Sequence, residues 1–175
     1  MRTRYKVYEK QKPHFITLTT VEWIPVFIEA KYFDILIDSF MFCRENKDLK
    51  IHAYVIMLNH LHAILSSPSL PDLMRDFKAH TAKAIIEAIK AEDKTWLINQ
   101  LRFFNRRGDK GSVHQLWQEG YHPEEIISRE MFLQKAEYIH VNPVRKGLVE
   151  EPEAWRYSSA GNYVNGKGVI GIDML

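Results

Sequence analysis

Hydrophobic positions along the chain switch between two periods, and the switches mark out its elements. His14–Val21 (HFITLTTV) is dense in β-branched and aromatic residues and predicts a first strand. From Ala30 to Asn46 the period changes, with Phe33, Leu36, Ile37, Phe40 and Met41 at helical spacing. Ile51–Met57 (IHAYVIM) is apolar on both faces, the pattern of a central strand. Leu58-Asn59 predicts a tight turn and His60–Leu65 (HLHAIL) a returning strand, so the two strands form a hairpin. A second helix opens at Ser69, with Pro71 in its first turn and Asp72 three residues on. Leu73, Phe77, Ala84 and Ala88 carry one face of it to about Lys90. Thr95–Phe104 predicts a shorter helix, Arg106–Gly111 an exposed loop, and Val113–Trp117 a fourth strand. Ser128 caps a last major helix, expected to stop near Asn142 because Pro143 disfavours helical backbone in the residue before it.

In order these elements are strand, helix, strand, strand, helix, helix, strand, helix. That is an α+β fold: a ferredoxin-like, RRM-like βαββαβ sandwich, with an antiparallel sheet, helices on one face and an added C-terminal helix. The 175 residues suit a single domain, 1–175, with its core at about 14–160. A hydrophobic content of 46% is enough for a real core. Such a fold hosts many activities and selects none of them.

Composition narrows the setting. No stretch approaches the roughly 18–20 apolar residues of a membrane span, and Met1-Arg-Thr-Arg leads into a charged, aromatic segment rather than a signal-peptide core. The single cysteine, Cys43, excludes an internal disulfide and a Cys-rich zinc site and fits a reducing compartment. A cytoplasmic protein without a membrane partner is expected. The net charge of +2 is uninformative, but its distribution is not. Arg2, Arg4, Lys6, Lys10 and Lys12 stand against Glu9 alone, and Arg102, Arg106, Arg107 and Lys110 against Asp109. Clusters of this kind suit a polyanion, although either one alone is more often a solvated surface.

Two places carry candidate chemistry. On a strand, His60 and His62 point to one face and Leu61, Ala63 and Leu65 to the other. Two neutral imidazoles side by side can share a metal ion while leaving room for a third group, water and substrate oxygens. Taken alone, such a pair is more often two half-buried histidines. In Met131–Asn142 (MFLQKAEYIHVN), Phe132, Ala136 and Ile139 form the core stripe, with Tyr138 and Asn142 stacked four apart on its flank. Alone, Tyr138 reads as an amphipathic boundary residue and Asn142 as a helix C-cap. His140 lies about 160° around the helix from Asn142, away from that flank.

Four ordered segments add a resemblance: Met57-Leu-Asn-His-Leu-His-Ala63, Asp76-Phe-Lys-Ala-His-Thr81, Leu116-Trp-Gln-Glu-Gly-Tyr121, and Tyr138-Ile-His-Val-Asn-Pro-Val-Arg-Lys-Gly147 followed by Trp155-Arg-Tyr-Ser-Ser159. Together they resemble the single-tyrosine HUH transposases of bacterial insertion sequences, in particular the REP-associated tyrosine transposase branch. Leu58 departs from the proline common before the Asn-His pair, and His122-Pro-Glu-Glu125 from the usual continuation after Tyr121. The resemblance implies that Tyr138 is the nucleophile and that His60, His62 and Asn142 hold a divalent metal, Mg²⁺ or Mn²⁺. It implies nicking and rejoining of hairpin-flanked single-stranded DNA through a covalent 5′-phosphotyrosine. Lys78 and the basic N-terminal region (Arg2, Arg4, Lys6), with Arg106 and Arg107, would approach DNA. Trp117, Tyr121 and Trp155 could stack on bases, although tryptophans in such apolar context are more often core. Relatives include dimers that exchange the tyrosine helix and monomers that keep it, so a homodimer stays open. Other readings are a host-domesticated enzyme acting on repeated palindromes, a non-catalytic nucleic-acid-binding module, and a hydrolase of small phosphoesters.

Overall fold

The computed structural model describes residues 11–105 and 113–175. Arg2, Arg4, Lys6, Arg106 and Arg107 lie outside the described residues. The elements are β1 (His14–Thr19), α1 (Ala30–Asn46), β2 (Lys50–Ile56), β3 (His60–Ser66), α2 (Leu70–Ala91), α3 (Thr95–Phe103), β4 (Glu124–Glu125), α4 (Arg129–Arg145) and α5 (Ala160–Asn165). The strands form one antiparallel sheet in the order β2-β3-β1-β4. This is the expected α+β sandwich.

Alternation along the central strands divides the buried side chains between two faces. Ile16, Leu18, Ile51, Tyr54, Ile56, Leu61, Ala63 and Leu65 pack against the apolar stripes of α1, α2 and α3 in the main core. The opposite face carries Phe15, Val55, Met57 and Ile64, and is covered by Phe132, Ala136 and Ile139 of α4. His52 stands at a break in the β2–β3 register between Ile51 and Ala53. Its Nδ1–H donates to the Asp173 carbonyl at 2.8 Å, and its Nε2 accepts from Ser66 Oγ at 2.9 Å.

Two expectations need correcting. Val113–Trp117 is not a strand: only Trp117 makes a bridge, to Thr20. The chain beyond it follows β1 irregularly, through Gln118 N–H to Thr19 O and Thr17 N–H to Tyr121 O, with Gly120 at φ +74° between the two contacts. Regular pairing resumes at Glu124–Glu125, opposite Phe15 and His14. Two glutamates carry no strand signal, and the position beside β1 imposes the pairing. Nor does α4 stop at Asn142. It runs through Pro143 to Arg145 and ends at Gly147, whose φ is +68°. There Leu148 N–H reaches Pro143 O at 3.0 Å and Gly147 N–H reaches Val144 O at 2.9 Å, the paired bonds of a Schellman cap.

Candidate active site

The hairpin and the face-covering helix build the site together. His60 and His62 sit on β3 opposite Thr19 and Thr17 of β1, so their rings emerge on the face that α4 crosses. Both are buried. Their ring centroids are 4.8 Å apart. Each Nδ1 is occupied by a neighbour, Asn59 Oδ1 at 2.7 Å for His60 and Thr17 Oγ1 at 2.8 Å for His62. In His60 the carboxamide oxygen can only accept, which places the proton on Nδ1 and leaves the Nε2 lone pair open. The same tautomer in His62 follows if Thr17 accepts. Burial is the main cause holding His60 down to about 4 and His62 to about 3, with the charges of Lys146 and Lys135 adding to it. Both imidazoles are therefore neutral at pH 7.

Helix α4 brings Tyr138 over this pair within the same chain. The Tyr138 ring lies 5.2 Å from His62 and 6.1 Å from Phe15, edge-on in both cases. Phe15 stacks on His62 at 5.4 Å, so the three rings form one packed group. Tyr138 is 39% exposed, which leaves the phenol accessible. One turn on, Asn142 is buried beside His60, and its Oδ1 is without a hydrogen-bond partner. A buried acceptor in that condition is uncommon, because the lost hydration goes uncompensated. An amide oxygen and two imidazole nitrogens are a donor set that suits a divalent cation and leaves positions open for phosphate oxygens. Among the described residues no group of three His, Cys, Asp or Glu side chains could hold a metal ion.

One cation lies against the tyrosine and a second over its neighbour Phe15. The Arg145 guanidinium lies 5.8 Å from the Tyr138 ring centroid. The Lys135 ammonium stands over the Phe15 ring at 4.6 Å and pairs with Glu124 at 2.6 Å. Both rise from α4, three residues before and seven after Tyr138. Neither was marked by charge clustering, because each is a single cation on a mixed helix.

Other anticipated residues lie elsewhere. The Lys78 ammonium donates to Gln118 O at 2.7 Å and Gly120 O at 2.6 Å, and burial pushes its pKa down to about 8. It fastens the segment beside β1. Trp117 is 5% exposed and donates from Nε1 to Thr81 Oγ1 at 3.0 Å, a core residue. Trp155 is half-buried, with Nε1 bonded to Ile56 O at 2.9 Å. His140 is turned away from the site, as its helical position predicts, and meets Ser159 Oγ at 2.8 Å. The aromatic residue that does stand open beside the histidines is Trp23, which the sequence pattern did not single out. Its ring lies 5.7 Å from His60, edge-on, with 56% of the residue exposed.

No helix among the described residues is long and apolar enough to cross a membrane. No protein-family model matches the chain, and no curated protein sequence does. Among solved structures, the chain is similar to a REP-associated tyrosine transposase bound to a REP hairpin, with a TM-score of 0.69 and 18% identity over 100% of this chain and 92% of that one. It is also similar to a protein of Deinococcus radiodurans R1 described as a transposase, at 20% identity over 78% of this chain and 95% of that one. That second TM-score is 0.45, too low to argue from. The first likeness establishes the fold.

Proposed function

We propose that the protein is a tyrosine transposase, a DNA strand transferase that nicks and rejoins single-stranded DNA through Tyr138. The observation that carries this reading is the placement of the Tyr138 ring 5.2 Å from His62, with the orphaned Asn142 Oδ1 close by and no second chain needed. The fold shared with a hairpin-bound tyrosine transposase supports it.

His60, His62 and Asn142 would hold a divalent ion, Mg²⁺ or Mn²⁺. Bound there, it would neutralise charge on the scissile phosphate. The remaining chemistry belongs to the chain. The Tyr138 oxygen attacks phosphorus and forms an O–P bond. The P–O3′ bond breaks, the 3′ oxygen takes up a proton, and the phenol's proton is released. The DNA 5′ end stays on the enzyme as a phosphotyrosine, which conserves the bond for the reverse attack by a 3′-OH. Arg145 and Lys135 flank Tyr138 and would hold the phosphates on either side. The buried, neutral histidines keep their lone pairs for ligation instead of protonating. Hairpin-bearing single-stranded DNA is the substrate this reading predicts.

Wild-type protein incubated with hairpin-flanked single-stranded DNA and Mn²⁺ should give a protein–DNA adduct that survives denaturation. Tyr138→Phe should give none while binding the same DNA. An equal yield of adduct from the variant would overturn the nucleophile assignment. Loss of adduct in His60→Ala/His62→Ala, with the fold intact by circular dichroism, tests the metal site separately.

A further inference from the structure

We propose that Trp23 is a nucleobase-stacking platform, which seats the unpaired base adjoining the phosphate at the His60–His62 site. The inference rests on the single-stranded DNA reading above and adds a binding surface to it.

The local backbone is built in an unusual way to present this ring. Glu22 and Trp23 are consecutive non-glycine residues at φ 48° and φ 58°, in the left-handed region. Side chains with a Cβ are disfavoured there, because the Cβ crowds the following carbonyl oxygen. Such a conformation persists only where its surroundings fix it, and here they do. Thr20 N–H and Thr20 Oγ both bond to Asn59 O at 2.9 Å, and Thr20 Oγ also reaches Ile24 O at 2.7 Å. Trp23 N–H bonds to Thr20 O at 3.1 Å. Thr20 and Val21, at the start of this turn, are buried, yet the strained pair carries an indole outward into solvent.

Asn59 ties the platform to the histidines. Its Nδ2 donates to Trp23 O at 3.0 Å, while its Oδ1 accepts from His60 Nδ1 at 2.7 Å. One carboxamide thus sets the position of the indole and the tautomer of the adjacent imidazole. An indole 56% exposed and held edge-on to His60 offers a sequence-tolerant stacking partner to any base. The cations Lys135 and Arg145 lie on the Tyr138 side of the histidines, so a strand crossing the site would meet charge at its backbone and an aromatic face at its base. The other three tryptophans offer less: Trp117 and Trp155 are committed to internal hydrogen bonds, and Trp96 lies on α3, on the far face of the sheet.

Binding of fluorescein-labelled dT12 and of an abasic 12-mer of equal charge, followed by anisotropy, tests the platform. For Trp23→Ala the affinity for dT12 should fall roughly 5- to 100-fold. Affinity for the abasic strand should not change, and Trp23→Phe should recover most of the loss. Equal affinities of wild type and Trp23→Ala for dT12 would overturn the inference. So would equal losses on both strands, or wild-type binding that does not distinguish the strands. A change confined to self-association in sedimentation would assign Trp23 to a protein contact and also overturn it. Base-dependent binding through Trp23 in a protein that forms no phosphotyrosine adduct would leave the platform standing and remove the transferase reading.

Discussion

The orientation of His60 and His62 is set by the residues that hydrogen-bond to them. Asn59 and Thr17 occupy the two Nδ1 atoms and so direct each Nε2 toward Tyr138's side of the sheet. Thr17→Val should lower Mn²⁺ affinity by about 10- to 100-fold with little change in fold, measured by titration calorimetry. Asn142 gives the opposite kind of test. Its unpartnered Oδ1 is a liability in the metal-free protein, on the order of 1–3 kcal/mol. Asn142→Leu should therefore keep or raise the metal-free melting temperature while reducing the rise caused by Mn²⁺. A large drop in the metal-free protein would show that the amide has a packing role instead. A two-residue step on a strand and a four-residue step on a helix fix which side chains share a face, but taken alone His60, His62, Tyr138 and Asn142 read as scaffold, and only the resemblance carried by the four ordered segments singled them out. Trp23 was not legible. Nothing in the Val-Glu-Trp sequence signals two left-handed residues, because Asn59 and Thr20, not local preference, hold them there.

At the scale of elements, α4 carries both the packing stripe and the tyrosine, and its end decides where Arg145 sits. Pro143 gave a false stop: its ring costs one internal hydrogen bond, but Val144 and Arg145 continue the helix before the cap. The true stop is Gly147. A Cβ there would meet nothing within 4 Å, so the only obstacle to a larger residue is its positive φ. Gly147→Ala should destabilise by about 1 kcal/mol in urea unfolding. The β2–β3 hairpin and the first two helices were readable from periodicity, since each buries a regular face. The pairing of Glu124–Glu125 was hidden, because its two residues owe their conformation to β1 and none of it to composition.

At the scale of the molecule, buried histidines set an acid limit. His52, His60, His62 and His140 are all held below the ordinary imidazole value, with burial the first cause in each. As pH falls through about 6.5, the unfolded chain takes up protons that the folded chain refuses. Stability should be full above that point, decline on acidification, and level off as His60 and His140 protonate near 4 and His62 near 3. Denaturant titrations of metal-free protein between pH 7.5 and pH 4 should show a loss on the order of a few kcal/mol. A flat profile would mean that these rings are better solvated than their burial implies. The outer edge of β2 is also closed. Tyr157 O and Ser159 bond to Ile56 and Tyr54, and Asp173 to both polar groups of Ile51. An edge covered in this way cannot template sheet growth.

The meeting of Tyr138 and His62 inside one chain has a genetic consequence. If both halves of the reaction centre come from the same polypeptide, two crippled copies cannot repair each other. Mixing a Tyr138→Phe protein with a His60→Ala/His62→Ala protein should restore no adduct at any ratio or concentration. Wild-type adduct formed per chain should stay constant on dilution at saturating DNA. In a cell, a defective copy of the gene would then not be rescued by a second copy defective in the other half of the site.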